Sequence, residues 1–225
     1  MNTPARRTGR PRSAEADRAI LDATRAALVE LGWAKLTLGD VASRAGVAKT
    51  TVYRRWAGKS ELVVDAVAAV FDEHLEVADH GSLQADIEDV VLRFAALLEL
   101  PETKTALMAV IAEATYDDAL RARVRSAIVD RQKRLVLIGR ERAQLRGELP
   151  REEDPDAAAR NADLIFDVIA GAVVHRMLVS AEPVDPRWAG EFSVLLLHGL
   201  AAAGSGASAA PKPLPGHDQK PAGSV

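Results

Sequence analysis

TLGDVASRAGVAKTTVYRRWAGKS, residues 37–60, decides the fold. Thr37 carries a side-chain oxygen suited to an N-cap, and Asp40 three residues on imitates the acidic partner of a capping box. Leu38, Val41, Ala42 and Ala45 then share one helical face. Gly46 follows at once, where a tight turn needs a residue that takes positive φ cheaply. Val47 is the apolar plug of that turn. A second short helix, about 48–56, comes next, and Gly58 breaks it. Two short helices crossed over a glycine turn predict a helix-turn-helix.

On the second helix Ala48, Val52 and Trp56 are four apart and form the apolar back. At about 100° per residue, Thr50 and Arg54 fall opposite. Lys49 with Tyr53, and Thr51 with Arg55, are the flanks. Such a front suits the DNA major groove: Arg and Lys pair with guanine edges, and a Thr methyl touches thymine. Flanking Thr51, Tyr53 and Arg55 can meet phosphates and fix register.

Residues 36–67, LTLGDVASRAGVAKTTVYRRWAGKSELVVDAV, resemble the DNA-binding domain of TetR-family transcriptional regulators. The resemblance rests on Thr37, the Ala45–Val47 turn, Tyr53 with the aromatic Trp56, Lys59 and Leu62. Phe is commoner in that family at the Trp56 position. The match is dense over the first quarter of the chain; the remainder fits by layout.

Composition supports this picture. With 48% hydrophobic and 27% charged residues, the 225-residue chain has globular character. No apolar run approaches the roughly 18 residues of a membrane span, so no membrane partner is expected. The basic N-terminus lacks the apolar core of a signal peptide. There is no cysteine, which excludes disulfides and thiol chemistry. A cytoplasmic location is expected. Charge is unevenly spread: residues 1–60 hold 12 Lys or Arg against 5 Asp or Glu, and the rest holds 17 against 27. A head of +7 on a body of −10 is what a polyanion-binding module joined to a different domain looks like.

The expected architecture is all-α with about nine helices. Residues 1–13 form a basic flexible arm, and Arg6, Arg7, Arg10 and Arg12 are suited to phosphates or a narrow minor groove. Residues 14–60 form the DNA-binding domain, with Ser13 as first N-cap and Gly32 ending the first helix. Lys59, at the mouth of the fourth helix, is placed for a phosphate, a role the resemblance also implies. Residues 61–203 form a helical effector-binding and dimerisation domain, its first helix reaching about His80. Residues 204–225, rich in Gly, Ser, Ala and Pro, are expected to be disordered.

The helices at 155–180 and 187–203 are apolar nearly all round, which predicts burial on several sides and a four-helix homodimer interface. Ile165, Gly171, Val174, Leu178, Phe192, Leu195 and Leu196 are its candidates. The resemblance implies the same arrangement. It further implies a cavity in the body where a small molecule moves the fourth helix and spreads the heads. Apolar position nominates Phe71, Leu75, Phe94, Leu98, Met108, Ile111, Tyr116, Ile128, Phe166 and Ile169 as lining.

Enzymatic features are weak. His74 and His80 are six apart and off one face, so they make no metal pair. His175 sits on a mostly apolar helix. Asp117 and Asp118 look like a helix start. No phosphate loop or nucleophile elbow is present, and no cofactor is expected. The expected function is a dimeric repressor on a near-palindromic DNA operator, released by an unknown small-molecule effector. A helical adaptor or a small helical enzyme are the alternatives.

Overall fold

A computed structural model describes residues 12–151 and 154–205. Among these it holds nine helices and no strand. We number them α1 (Arg12–Lys35), α2 (Leu38–Arg44), α3 (Lys49–Tyr53), α4 (Lys59–His74), α5 (Leu83–Glu99) and α6 (Pro101–Ala114). Then come α7 (118–145), α8 (155–179) and α9 (Pro186–Ser205). A π-turn at Arg125–Val129 interrupts α7, and another at His175–Val179 closes α8.

The helix starts have visible causes. The side chains of Thr37, Ser82, Asp117 and Asp154 accept hydrogen bonds from Asp40, Ala85, Leu120 and Asp156 N–H. Each satisfies a donor that the first turn leaves without an intrahelical partner. Pro101 and Pro155 occupy first-turn positions where their missing N–H costs nothing. Gly32, at φ 72°, breaks α1 before its last short turn.

Three expectations about boundaries change. The first helix begins at Arg12 rather than Ala14, so Ser13 lies inside it and the last two residues of the expected arm are helical. Arg6, Arg7 and Arg10 lie outside the described residues. At the other end α9 runs on to Ser205, and 206–225 lie outside the described residues. The fourth helix stops at His74, six residues short of His80. Polar bonds hold the segment that follows it. Arg142 donates to the Val77 carbonyl at 2.7 Å, and Asp86 accepts the His80 N–H at 2.7 Å. Arg146 bridges Asp79 and Asp86, both at 2.9 Å. These partners offer the backbone what helix would otherwise supply.

The buried core runs unbroken from Ile20 in α1 to Leu196 in α9. α1 packs on α2, α4 and α6, and α5 packs on α6, α8 and α9. α4 touches both the N-terminal helices and the body. Its Leu62, Val63, Val64, Ala66 and Val67 are fully buried, so a cavity-making change such as Leu62→Ala should cost about 2–5 kcal/mol. No helix among the described residues is long and apolar enough to cross a membrane.

Candidate nucleic-acid interface and interior cavity

Around residues 37–58 the chain behaves locally as its residue types require. Thr37 Oγ1 accepts from Asp40 N–H at 3.1 Å and donates to the Asp40 carboxylate at 2.6 Å. At the far end of α2, Val47 N–H reaches the Ala42 carbonyl at 3.0 Å and Gly46 N–H reaches Ser43 at 3.3 Å. That bond pair, with Gly46 at φ 64°, is a Schellman closure. Any side chain at Gly46 would be strained there.

The turn presents α3 outward by its front. Lys49, Thr50 and Arg54 are exposed, Tyr53 is 57% exposed, and Thr51 is half-buried. Among the described residues neither Lys49 nor Arg54 has an acidic partner. Their positive charge therefore faces solvent uncompensated. Val52 and Trp56 form the buried back. Ala48, expected beside them, is instead the exposed N-cap of α3, because the helix starts only at Lys49. The stem of Lys49 lies across Gly39, where a Cβ would stand 3.4 Å from it.

Two basic residues of the expected DNA face have other partners. Arg55 turns back and pairs with Asp17 of α1, so it braces the head instead of facing phosphates. The Lys59 ammonium donates to the Trp33 carbonyl at 2.8 Å and lies 4.9 Å from the centre of its ring. A cation over an aromatic face is attracted by the ring quadrupole. Arg44, not singled out from the sequence, pairs with Glu30 of α1 at 2.7 Å, which holds the Glu30 carboxyl below its usual range.

Behind α3 the Trp56 indole N–H donates to Asp65 of α4 at 2.8 Å. Arg123 of α7 reaches both oxygens of that carboxylate, at 2.9 and 3.0 Å. Sequence reasoning missed Asp65 and Arg123, which are 58 residues apart and share no motif.

The body holds a cavity of about 290 Å³, partly open to solvent, between α4, α5, α6, α7 and α8. Of the ten nominated residues, Phe71, Leu75, Phe94, Ile111, Ile128, Phe166 and Ile169 line it. The Phe71 and Phe94 rings meet in its wall at 5.8 Å, tilted by 56°. The other three are corrections. Leu98 is buried in helix packing away from the cavity, Met108 lies on the outer face of α6, and Tyr116 is 93% exposed beyond that helix's end. Gln132, a buried polar member of the wall, is invisible to sequence reasoning from apolar spacing. Next to the cavity Asp86 is held by Arg146 and by His80 N–H. Burial by itself would raise the Glu148 carboxyl, but the Leu83 N–H and Arg146 outweigh that and hold it below its usual range.

On the outside of α8 and α9, Leu164, Val168, Val194 and Leu195 are exposed, Leu195 by 71%. Gly171 lies exposed on α8 with open space where a Cβ would stand, and Leu178 is half-buried. Val174, expected in the same face, is a correction: it lines the cavity on the inner side of α8, whereas Ile165 lines both the cavity and the hollow beside α9. Phe192 and Leu196 are nearly buried, and Phe192 stacks on Trp188 at 5.0 Å. Leu164, Val168, Phe192, Leu195 and Leu196 rim an open hollow between the two helices.

A small helix-turn-helix head with free cations, carried on a larger helical body with an apolar interior, defines a DNA-binding transcriptional regulator. Comparison with known proteins agrees. Residues 20–66 match the model of bacterial regulatory proteins of the tetR family, and residues 77–193 match the tetracyclin repressor-like C-terminal domain. The chain belongs to the TetR family of transcriptional regulators, which is not a class of enzymes. It is 30% identical over 177 residues to the DNA-binding transcriptional repressor TetR of Mycobacteroides abscessus, covering 76% of this chain and 86% of that one. It is 27% identical over 179 residues to the HTH-type transcriptional regulator YdeS of Bacillus subtilis, covering 79% and 85%. The crystal structure of the TetR family transcription regulator SCO0332 superposes with a TM-score of 0.67 at 27% identity, covering 82% of this chain and 98% of that one.

Proposed function

We propose that this regulator is a homodimeric repressor that binds a near-palindromic DNA operator and is released by a small molecule held in the body. The observation that carries the proposal is the outward front of α3, where Lys49 and Arg54 stand without acidic partners beside Thr50 and Tyr53. Unpaired cations on a helix backed by Val52 and Trp56 fit base edges and phosphates of a major groove. Two such helices in a symmetric dimer read half-sites about 34 Å apart, which calls for a palindrome. The exposed leucines and valines of α8 and α9 supply an apolar face for the second copy. Because the template is chromosomal DNA, the cytoplasm is the place of action.

Release follows from geometry that joins cavity to head. Val124 and Ile128 line the cavity, and Arg123 beside them holds Asp65, which holds Trp56 at the end of the recognition segment. A ligand that displaces the α7 π-turn would shift that link, and π-turns are frequent at functional sites. The ligand must favour the non-binding spacing of the heads, and DNA must weaken the ligand by the same factor.

Selection of bound sequences from a random duplex pool tests the proposal. The expected product is a two-fold symmetric consensus whose affinity falls steeply with salt. Recovery of no enriched sequence at low ionic strength would overturn it.

A further inference from the structure

We infer that the interior cavity is built for an uncharged, mainly apolar ligand carrying one hydrogen-bonding group, which docks on the side-chain amide of Gln132. This inference rests on the effector reading above and assigns the ligand its chemical class. Gln132 is 9% exposed and lies in the cavity wall. Among the described residues its carboxamide has no hydrogen-bond partner. The amide is not sealed off, so a ligand can reach it, and a polar group in an apolar wall gains from a hydrogen-bond partner. Apart from Glu76, Asp86, Gly139 and Arg140, the rest of the wall is aliphatic and aromatic, including Phe71, Phe94 and Phe166.

The two buried charged groups of the wall already have partners, and a third, Glu76, is mostly in solvent. Asp86 is 3% exposed and bound by Arg146 and by His80 N–H. Arg140, also in the wall and 9% exposed, has a partner of its own. A carboxylate or ammonium brought inside would lose water and meet charged groups that are already engaged. A hydroxyl or carbonyl would find Gln132, which can both donate and accept. At about 290 Å³ the space is at the small end of ligand sites, so the molecule is compact.

The test uses the full-length protein and three matched probes: 2-naphthol, 2-methylnaphthalene and 2-naphthoate. Binding is measured by calorimetry at neutral pH on wild type and on Gln132→Leu. Wild type should bind 2-naphthol about five- to tenfold more tightly than 2-methylnaphthalene, the worth of one hydrogen bond, and 2-naphthoate most weakly. Gln132→Leu should erase the naphthol preference and leave 2-methylnaphthalene bound as before. Equal or tighter binding of 2-naphthoate, an unchanged naphthol preference in the variant, or no binding of any probe at 1 mM would each overturn the inference. A parallel operator-binding titration separates it from the function proposed above. Probes that bind in the stated order without loosening DNA would uphold the ligand class and remove the release step.

Discussion

Trp56 donates its indole N–H to Asp65 at 2.8 Å, and this bond joins the end of the recognition segment to the helix that enters the body. Phe at that position would fill the same space but carry no donor. Trp56→Phe should therefore keep the head folded and loosen its attachment. A lost hydrogen bond of about 1 kcal/mol corresponds to a drop in Tm of roughly 2–4 °C for a chain of this size. Operator affinity should fall several-fold more than that small loss of stability accounts for. Arg123→Leu should act through the same carboxylate, so the double variant should show coupling of at least about 0.5 kcal/mol in a cycle read by DNA affinity. Strict additivity would mean that the three groups do not act as one link.

Arg54 and Arg55 are adjacent and chemically identical, yet the structure separates them. Arg54 is exposed and has no acidic partner among the described residues, whereas Arg55 is paired with Asp17. Arg54→Ala should relax base preference, costing about 1–3 kcal/mol on the selected operator and little on random duplex. Arg55→Ala should lower thermal stability and leave the base preference of the folded fraction intact. Binding to operator and variant-operator panels, beside thermal melts, distinguishes the two. If Arg55→Ala changed the preferred sequence and Arg54→Ala did not, the face of α3 that meets DNA has been assigned the wrong way round.

Much of this was legible in the chain because local chemistry announces itself. Thr37 with Asp40, Gly46 and the four-residue spacing of Val52 and Trp56 gave the head its helices and its turn, since each acts within one turn of its own backbone. What stayed hidden depends on distant partners. Arg55 and Lys59 look like free cations until Asp17 and Trp33 are brought beside them by folding. The end of α4 at His74 was equally hidden, because the bonds that hold the following segment come from Arg142 in α7 and Arg146 just past its end. In the body, seven of the ten residues nominated by apolar spacing line the cavity. It could not tell the inner face of α6 from the outer one, where Met108 lies.

Glu148 supplies a pH dependence with a definite sign. Its carboxyl is held below the usual value near 4.5, and Leu83 N–H and Arg146 hold it there against the opposing effect of burial. A depressed folded-state value means that the charged form stabilises the fold above about pH 4.5 and that this contribution fades as pH falls through the folded value. Glu148→Gln should lower stability at pH 7 by about 1 kcal/mol or less, seen as a small fall in Tm, because the pair is partly open to solvent. The gap between variant and wild type should narrow toward pH 3. A gap that widens on acidification would show that the carboxylate is not what holds α7 to the start of α5.

Leu195 tests the dimer most directly, because it is 71% exposed on α9 and touches no core that a change could disturb. A leucine in water at the rim of an apolar hollow gains about 1.5–3 kcal/mol when a partner covers it. Leu195→Glu places a charge at the same spot, which must then be buried without a partner or kept in water by separation of the subunits. The expected result is a shift from dimer to monomer at micromolar concentration in size exclusion with light scattering, with the melting temperature of the monomer fold nearly kept. Operator affinity should collapse with it, since one head engages one half-site and the second no longer follows from the first. Tyr116→Glu is the matched control: Tyr116 is 93% exposed beyond α6, away from the proposed face, and should change neither mass nor DNA binding. A Leu195→Glu protein that stays dimeric would move the interface off α9, whatever the heads prove to bind.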